Sequence, residues 1–112
     1  MRAKRHSVIL PFMAELLDDV AVQEWLKSHG AWTQSGAEIS RAAECPSFPA
    51  AIELVRQVAV EAESRDHHPD IDIRWRTLRF TLSTHSAGGL TQKDLDLAGE
   101  IDRLAAAAGA SG

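Results

Sequence analysis

The chain has 112 residues, a size typical of one domain with a modest core. Its formal net charge of -4 gives no broad attraction to nucleic acid or to an anionic membrane, and no apolar run is long enough to cross a bilayer. We therefore expect binding to neither nucleic acid nor membrane. The single cysteine, Cys45, cannot form an internal disulfide, so we expect a cytoplasmic protein.

The first residues are basic and then apolar, but this apolar run is short for a signal peptide and acidic residues follow it. We interpret residues 1–14 as a disordered leader, or as a mis-assigned start in which Met13 rather than Met1 begins the protein. Residues 15–108 are predicted to form the single domain, and residues 109–112 a frayed tail.

A first helix is predicted over about residues 19–28. Asp18 or Asp19 can cap it, an apolar stripe at helical spacing follows, and Gly30 is the expected stop. The stripe comprises Ala21, Val22, Trp25 and Leu26.

Two strands are predicted next, at residues 31–34 and 38–44, with a turn at Ser35-Gly36 between them. Pro46 ends the second strand. We interpret Cys45 as a small buried or edge residue rather than a nucleophile, because no basic partner surrounds it in sequence.

The second helix has the clearest pattern. Ser47 can cap it, Pro49 suits its first turn, and Pro69 disfavours helical geometry at His68, so the helix should end near Asp66. The apolar stripe expected to face the core comprises Phe48, Ala51, Ile52, Val55, Val58, Ala59 and Ala62.

Residues 70–75 and 78–84 alternate between apolar and polar side chains, which predicts two half-buried strands joined by a tight turn near Arg76-Thr77. Trp75 falls on the apolar side of this alternation, and His85 on the polar side.

After a glycine-containing loop, Thr91 is predicted to cap the last helix and Asp94 to complete a capping box. The order α-β-β-α-β-β-α predicts an α+β domain, a four-stranded antiparallel sheet with three helices on one face.

Three of the five histidines, His67, His68 and His85, lie next to predicted turns or strand ends. Each has a purely structural explanation when taken alone, and Asp94 is explained as a capping residue. Together, three histidines and a carboxylate could bind zinc, but their spacing matches no short ligand motif. Acid–base chemistry is the other alternative, because imidazole titrates near neutral pH.

These residues also carry a resemblance. The segment Ala62-Glu63-x-x-Asp66-His67-His68-Pro69, followed by Leu82-Ser83-Thr84-His85 and Asp94-x-x-Leu97-Ala98, closely resembles the pterin-4-alpha-carbinolamine dehydratases. The resemblance spans about residues 15–107 and is most specific from Glu63 to Asp94. The chain departs from the family in its second strand, where the family usually has aromatic residues and this chain has Ala43 and Cys45.

The resemblance implies a hydro-lyase that dehydrates 4a-hydroxytetrahydropterin to quinonoid dihydropterin in tetrahydrobiopterin recycling, with no metal or organic cofactor. It also implies a homodimer or homotetramer. His67 and His85 would be the acid–base pair, supported by Asp94. The substrate-binding residues implied are Glu63, His68, Pro69, Ser83 and Thr84.

Two other functions remain open from the sequence. One is a non-catalytic protein-binding module, because this fold resembles that of proteins that serve as dimerisation cofactors of transcription factors. The other is a metal-dependent hydrolase. The chain keeps all three histidines, which a degenerate binding module would be expected to have lost, so the enzyme is favoured.

Overall fold

The computed structural model describes residues 15–112, so the predictions for the leader lie outside the described residues. Helices and strands follow one another in the predicted order. They are α1 (Asp19–Lys27), β1 (Thr33–Ser35), β2 (Glu38–Glu44), α2 (Phe48–Arg65), β3 (Asp70–Arg74), β4 (Thr77–Leu82) and α3 (Gln92–Ala107). A short 3-10 helix, His85–Ala87, connects β4 to the segment before α3.

The four strands form one antiparallel sheet in the order β1-β2-β4-β3. Alternate residues of its central strands are buried, for example Ile39 on β2 and Phe80 on β4, whereas Arg79 between the buried residues of β4 is exposed. The buried side chains of the sheet and of all three helices belong to one apolar cluster. This arrangement confirms the predicted α+β class, with the helices on one face of the sheet.

Helix α2 begins and ends where the sequence predicted. Ser47 caps it by accepting a hydrogen bond from the backbone N–H of Ala50, and Asp66 ends it in the left-handed conformation, with φ of 50°. The predicted apolar stripe was partly wrong, because Phe48 and Ile52 are 47% and 42% exposed while Leu54 is fully buried. The residues of α2 that face the core are Ala51, Leu54, Val58 and Ala62.

The turn between β3 and β4 also differs from the prediction. Arg74 pairs with Thr77, so the turn is Trp75-Arg76 rather than Arg76-Thr77. Trp75 has a φ of 55° and its side chain is 71% exposed, with the Arg76 guanidinium 4.9 Å from the ring centre. The strand alternation therefore ends one residue earlier than expected, and Trp75 leaves the core side.

Two further predictions are corrected near the ends of elements. Helix α1 ends at Lys27 with Ser28 as its C-cap, and Gly30 does not adopt a positive φ. The C-terminal residues, expected to form a frayed tail, pair with β2: the backbone N–H of Ser111 donates to the Glu44 carbonyl at 2.9 Å, and Glu44 donates back at 2.7 Å.

Asp102 helps to fix helix α3 against the sheet. Asp102 of α3 accepts hydrogen bonds from the buried Arg41 guanidinium at 2.7 Å and from Trp32 Nε1 at 2.8 Å. Cys45 is fully buried, as predicted, and burial raises the pKa of its thiol.

Within residues 15–112, we find no helix whose length and apolar character would let it span a bilayer.

Candidate active site

The site is built around the carboxylate of Asp94, which lies in the first turn of α3 and is completely buried. The predicted capping box is confirmed: the Thr91 hydroxyl accepts from the Lys93 N–H at 3.2 Å, and Asp94 Oδ2 accepts from the Thr91 N–H at 2.9 Å. The N-terminal end of a helix favours a negative charge. The start of α3 is thus arranged to hold this carboxylate inside the protein.

His67 is brought to Asp94 by the end of α2. After the left-handed residue Asp66, the His67 N–H donates to the Ala62 carbonyl at 3.0 Å, which turns the chain back over the helix end. The His67 ring then places Nε2 2.6 Å from Asp94 Oδ1, and the residue is only 8% exposed. The contact joins the end of α2 to the start of α3.

Thr84 reaches the same carboxylate from the end of β4. Its hydroxyl donates to Asp94 Oδ2 at 2.7 Å and lies 2.8 Å from the Thr91 hydroxyl. Thr84 is 4% exposed, so its side chain faces the protein interior. The sequence resemblance implied a substrate-binding residue here, whereas the structure places the hydroxyl against Asp94.

His68 and Glu63 form a second, exposed pair beside the buried one. His68 Nε2 lies 2.9 Å from Glu63 Oε1, so the last turn of α2 holds the ring of a residue just beyond it. His67 and His68 are consecutive, yet the first is buried and the second is exposed. The next residue, Pro69, is partly buried.

His85 opens the short 3-10 helix directly after Thr84 and is exposed. The Thr84 carbonyl accepts from the backbone N–H of Ala87 and of Gly88, each at 3.0 Å, and Gly88 takes a φ of 79°. The ring of His85 has no hydrogen-bonding partner among residues 15–112. The preceding Ser83 donates its hydroxyl proton to the Ala37 carbonyl at 2.8 Å.

The structure therefore brings His67 and Thr84 each into direct contact with Asp94 and keeps His68 and His85 open to solvent. Thr91 belongs to the same network, although the sequence indicated it only as a helix cap. The capping-box spacing between Thr91 and Asp94 was the sequence signal that could have placed Thr91 in this network. In the described part of the chain, no group of three His, Cys, Asp or Glu side chains is placed to hold a metal ion.

The arrangement suits proton transfer. A buried carboxylate in contact with one imidazole nitrogen can fix the orientation of that ring, and the exposed imidazoles of His68 and His85 can contact a ligand from solvent.

Comparison with known proteins identifies the family of this chain. The family model described as pterin 4 alpha carbinolamine dehydratase matches residues 15–104. A Nocardia farcinica protein named "Putative pterin-4-alpha-carbinolamine dehydratase" is 62% identical over 91 residues, covering 81% of this chain and 96% of the relative. A Roseiflexus castenholzii protein with the same name is 53% identical over 92 residues, covering 82% of this chain and 99% of the relative.

Solved structures share the fold. A Brucella melitensis structure described as a transcriptional coactivator/pterin dehydratase has a TM-score of 0.78 at 28% identity, covering 81% of this chain and 99% of the other. A pterin dehydratase-like protein described as a RuBisCO assembly factor in the alpha-carboxysome has a TM-score of 0.58 at 20% identity, covering 69% of this chain and 92% of the other. With the family model matching most of the described residues, the chain belongs to the pterin-4-alpha-carbinolamine dehydratase family.

Proposed function

We propose that this protein is a hydro-lyase that dehydrates 4a-hydroxytetrahydropterin to quinonoid dihydropterin, in tetrahydrobiopterin recycling. The observation that carries the proposal is the contact of His67 Nε2 with the buried Asp94 carboxylate at 2.6 Å, in a chain whose other two site histidines are exposed. Family membership supports the same conclusion. A cytoplasmic location is part of the proposal, since the chain has only one cysteine.

The reaction requires two proton transfers. The bond from carbon 4a to the hydroxyl oxygen breaks and the hydroxyl leaves as water, which needs a donated proton. A ring nitrogen loses its proton so that the quinonoid double bond can form. Imidazole can donate one proton and accept the other at neutral pH, and no electron acceptor is needed because the substrate loses only water.

We assign His67 and His85 to these two transfers. His67 is held by Asp94, which acts through it, while His85 is free of hydrogen bonds to the described residues and open to solvent. His68, held by Glu63, is assigned to pterin binding, together with Pro69 and Ser83.

Turnover of a synthetic 4a-hydroxytetrahydropterin is the direct test. Since this substrate also dehydrates spontaneously, the purified protein must exceed the uncatalysed rate measured in the same buffer. A rate equal to that background would overturn the proposal. Repeating the assay after exhaustive chelation separates it from a metal-dependent hydrolase, because an acid–base enzyme should keep full activity.

A protein-binding role is the second candidate. The Brucella melitensis neighbour is described as a coactivator as well as a dehydratase, and α2 of this chain exposes Phe48, Ile52 and Val60. If the protein is a binding module, a partner should co-purify with the tagged protein at stoichiometric level from its own cells. That partner should still co-purify when His67 and His85 are replaced by alanine.

Self-association is also part of the proposal. The family resemblance implies a homodimer or homotetramer, and exposed apolar side chains on α2 support an interface there. The outer edge of β3 is unpaired within the described chain and could contribute as well.

A further inference from the structure

The hydrogen bonds around Asp94 determine where each proton lies. The backbone N–H groups of Lys93 and Thr91 can only donate, and their acceptors are the Thr91 hydroxyl and Asp94 Oδ2. An ionised carboxylate can only accept. The contact between the Thr84 hydroxyl and Asp94 Oδ2 is therefore donated by Thr84, at 2.7 Å.

This leaves one arrangement for the two threonines. Thr84 has a single hydroxyl proton, which it donates to the hydrogen bond with Asp94. The 2.8 Å contact between the two hydroxyls must then be donated by Thr91 to the Thr84 oxygen. The hydrogen bonds thus run in one direction, from the Lys93 N–H to Thr91, from Thr91 to Thr84 and from Thr84 to Asp94. Thr84 is 4% exposed, and Thr91 and Asp94 are fully buried. Such charge-assisted bonds to a buried carboxylate are among the stronger ones in proteins.

The same reasoning extends to His67. Asp94 Oδ1 accepts at 2.6 Å from Nε2, so the neutral ring carries its proton on Nε2. Nδ1 is then unprotonated, and it has no hydrogen-bonding partner among residues 15–112. We propose that Thr84 and Thr91 are positioning residues, which hold Asp94 so that neutral His67 keeps its proton on Nε2 and exchanges protons with substrate through Nδ1.

The catalytic part of this inference rests on the proposed dehydratase function, but the proton arrangement does not. Thr84 is thereby moved from the substrate-binding residues to the network behind His67. Thr84→Val removes the hydroxyl at nearly constant shape, and Thr84→Ser restores it, so this pair isolates the hydrogen bond from packing.

The test combines ¹⁵N NMR of the histidine rings with steady-state kinetics. In the unsubstituted protein, the His67 nitrogens should report protonated Nε2 and bare Nδ1. Thr84→Val should reduce the fraction of that tautomer and lower kcat by about tenfold, with little change in KM, as expected for losing a hydrogen bond to a charged group. Thr84→Ser should restore both.

Three results would overturn the inference. These are a His67 ring protonated on Nδ1 in the unsubstituted protein, a Thr84→Val variant with unchanged tautomer, or one with unchanged kcat. A purely structural Thr84 would lower only the melting temperature. If Thr84→Val does not fold, Thr84→Ala, which fills less space, takes its place. Absence of dehydratase activity in the unsubstituted protein would reject the proposed function, while the NMR result would still decide the proton arrangement.

Discussion

At the scale of single residues, Asp94 divides the three site histidines into two kinds. His67 is buried and bonded to the carboxylate, whereas His68 and His85 are exposed. The two proposed acid–base residues should therefore respond differently when they are removed, even though both take part in the same reaction.

His67→Ala and His85→Ala should each lower kcat by about 10²–10⁴-fold, the usual contribution of a positioned general acid or base. Their effects on stability should differ. His67→Ala leaves a buried oxygen of Asp94 without its donor, which costs about 1–3 kcal/mol in the free energy of unfolding. His85→Ala, at an exposed position, should change it by less than about 0.5 kcal/mol.

Urea denaturation of both variants, together with the dehydratase assay, provides the check. His85→Ala serves as the control for stability, because it removes a proposed catalytic histidine without removing a donor to Asp94. Equal stability of the two variants would show that the His67–Asp94 contact contributes nothing to the fold.

Asp94→Asn tests the carboxylate itself. Its oxygen can still accept from Thr91 and Thr84, but its amide group then faces His67 Nε2, so two donors oppose each other unless the ring changes tautomer. We expect a loss of kcat of about tenfold or more and a stability loss of about 1–3 kcal/mol. Full activity in this variant would reduce Asp94 to a helix cap.

At the scale of elements, local signals predicted the starts of the helices well. Ser47, Thr91 and Asp94 form the caps expected from their positions, and the predicted range of the second strand equals β2, Glu38–Glu44. The helix caps depend on hydrogen bonds between residues close in the chain, which sequence patterns report directly.

The orientation of an element was harder to predict. Apolar side chains extend around much of α2, so the choice between Ile52 and Leu54 depends on which face meets the sheet. Trp75 was misplaced because alternation cannot show the residue at which a strand gives way to its turn. In the site, the contacts of Asp94 with His67 and Thr84 span 27 and 10 residues, and no local pattern encodes them.

Leu54→Ala and Ile52→Ala test the observed orientation of α2. Leu54→Ala opens a cavity at a fully buried position and should lower the free energy of unfolding by about 2–5 kcal/mol. Ile52→Ala, two residues away and 42% exposed, should cost markedly less. Chemical denaturation compares the pair at equal protein concentration, and the reverse order would mean that the other face of α2 packs on the sheet.

At the scale of the whole molecule, the exposed apolar residues of α2 support the proposed self-association. Sedimentation velocity at micromolar concentration should show a dimer or tetramer. Replacing Phe48 and Ile52 together with serine should shift it toward monomer by removing apolar surface from the interface.

Val20→Ser is the matched control for this experiment. Val20 is an exposed apolar residue of another helix, α1, and its replacement should leave the association unchanged. A stable monomer before any substitution would refute the proposed assembly.

The three tryptophans give the molecule an optical readout of its own. Trp32 is buried against Asp102, Trp25 is stacked on His29 at 3.9 Å, and Trp75 stands in solvent at the β3–β4 turn. Iodide in the buffer should quench the fluorescence of Trp75 while sparing that of Trp32. A Trp75→Phe variant would thus leave the emission of the buried Trp32 and the partly buried Trp25. The difference between the spectra of the two proteins would isolate the emission of Trp75, which would respond to a molecule bound at the turn.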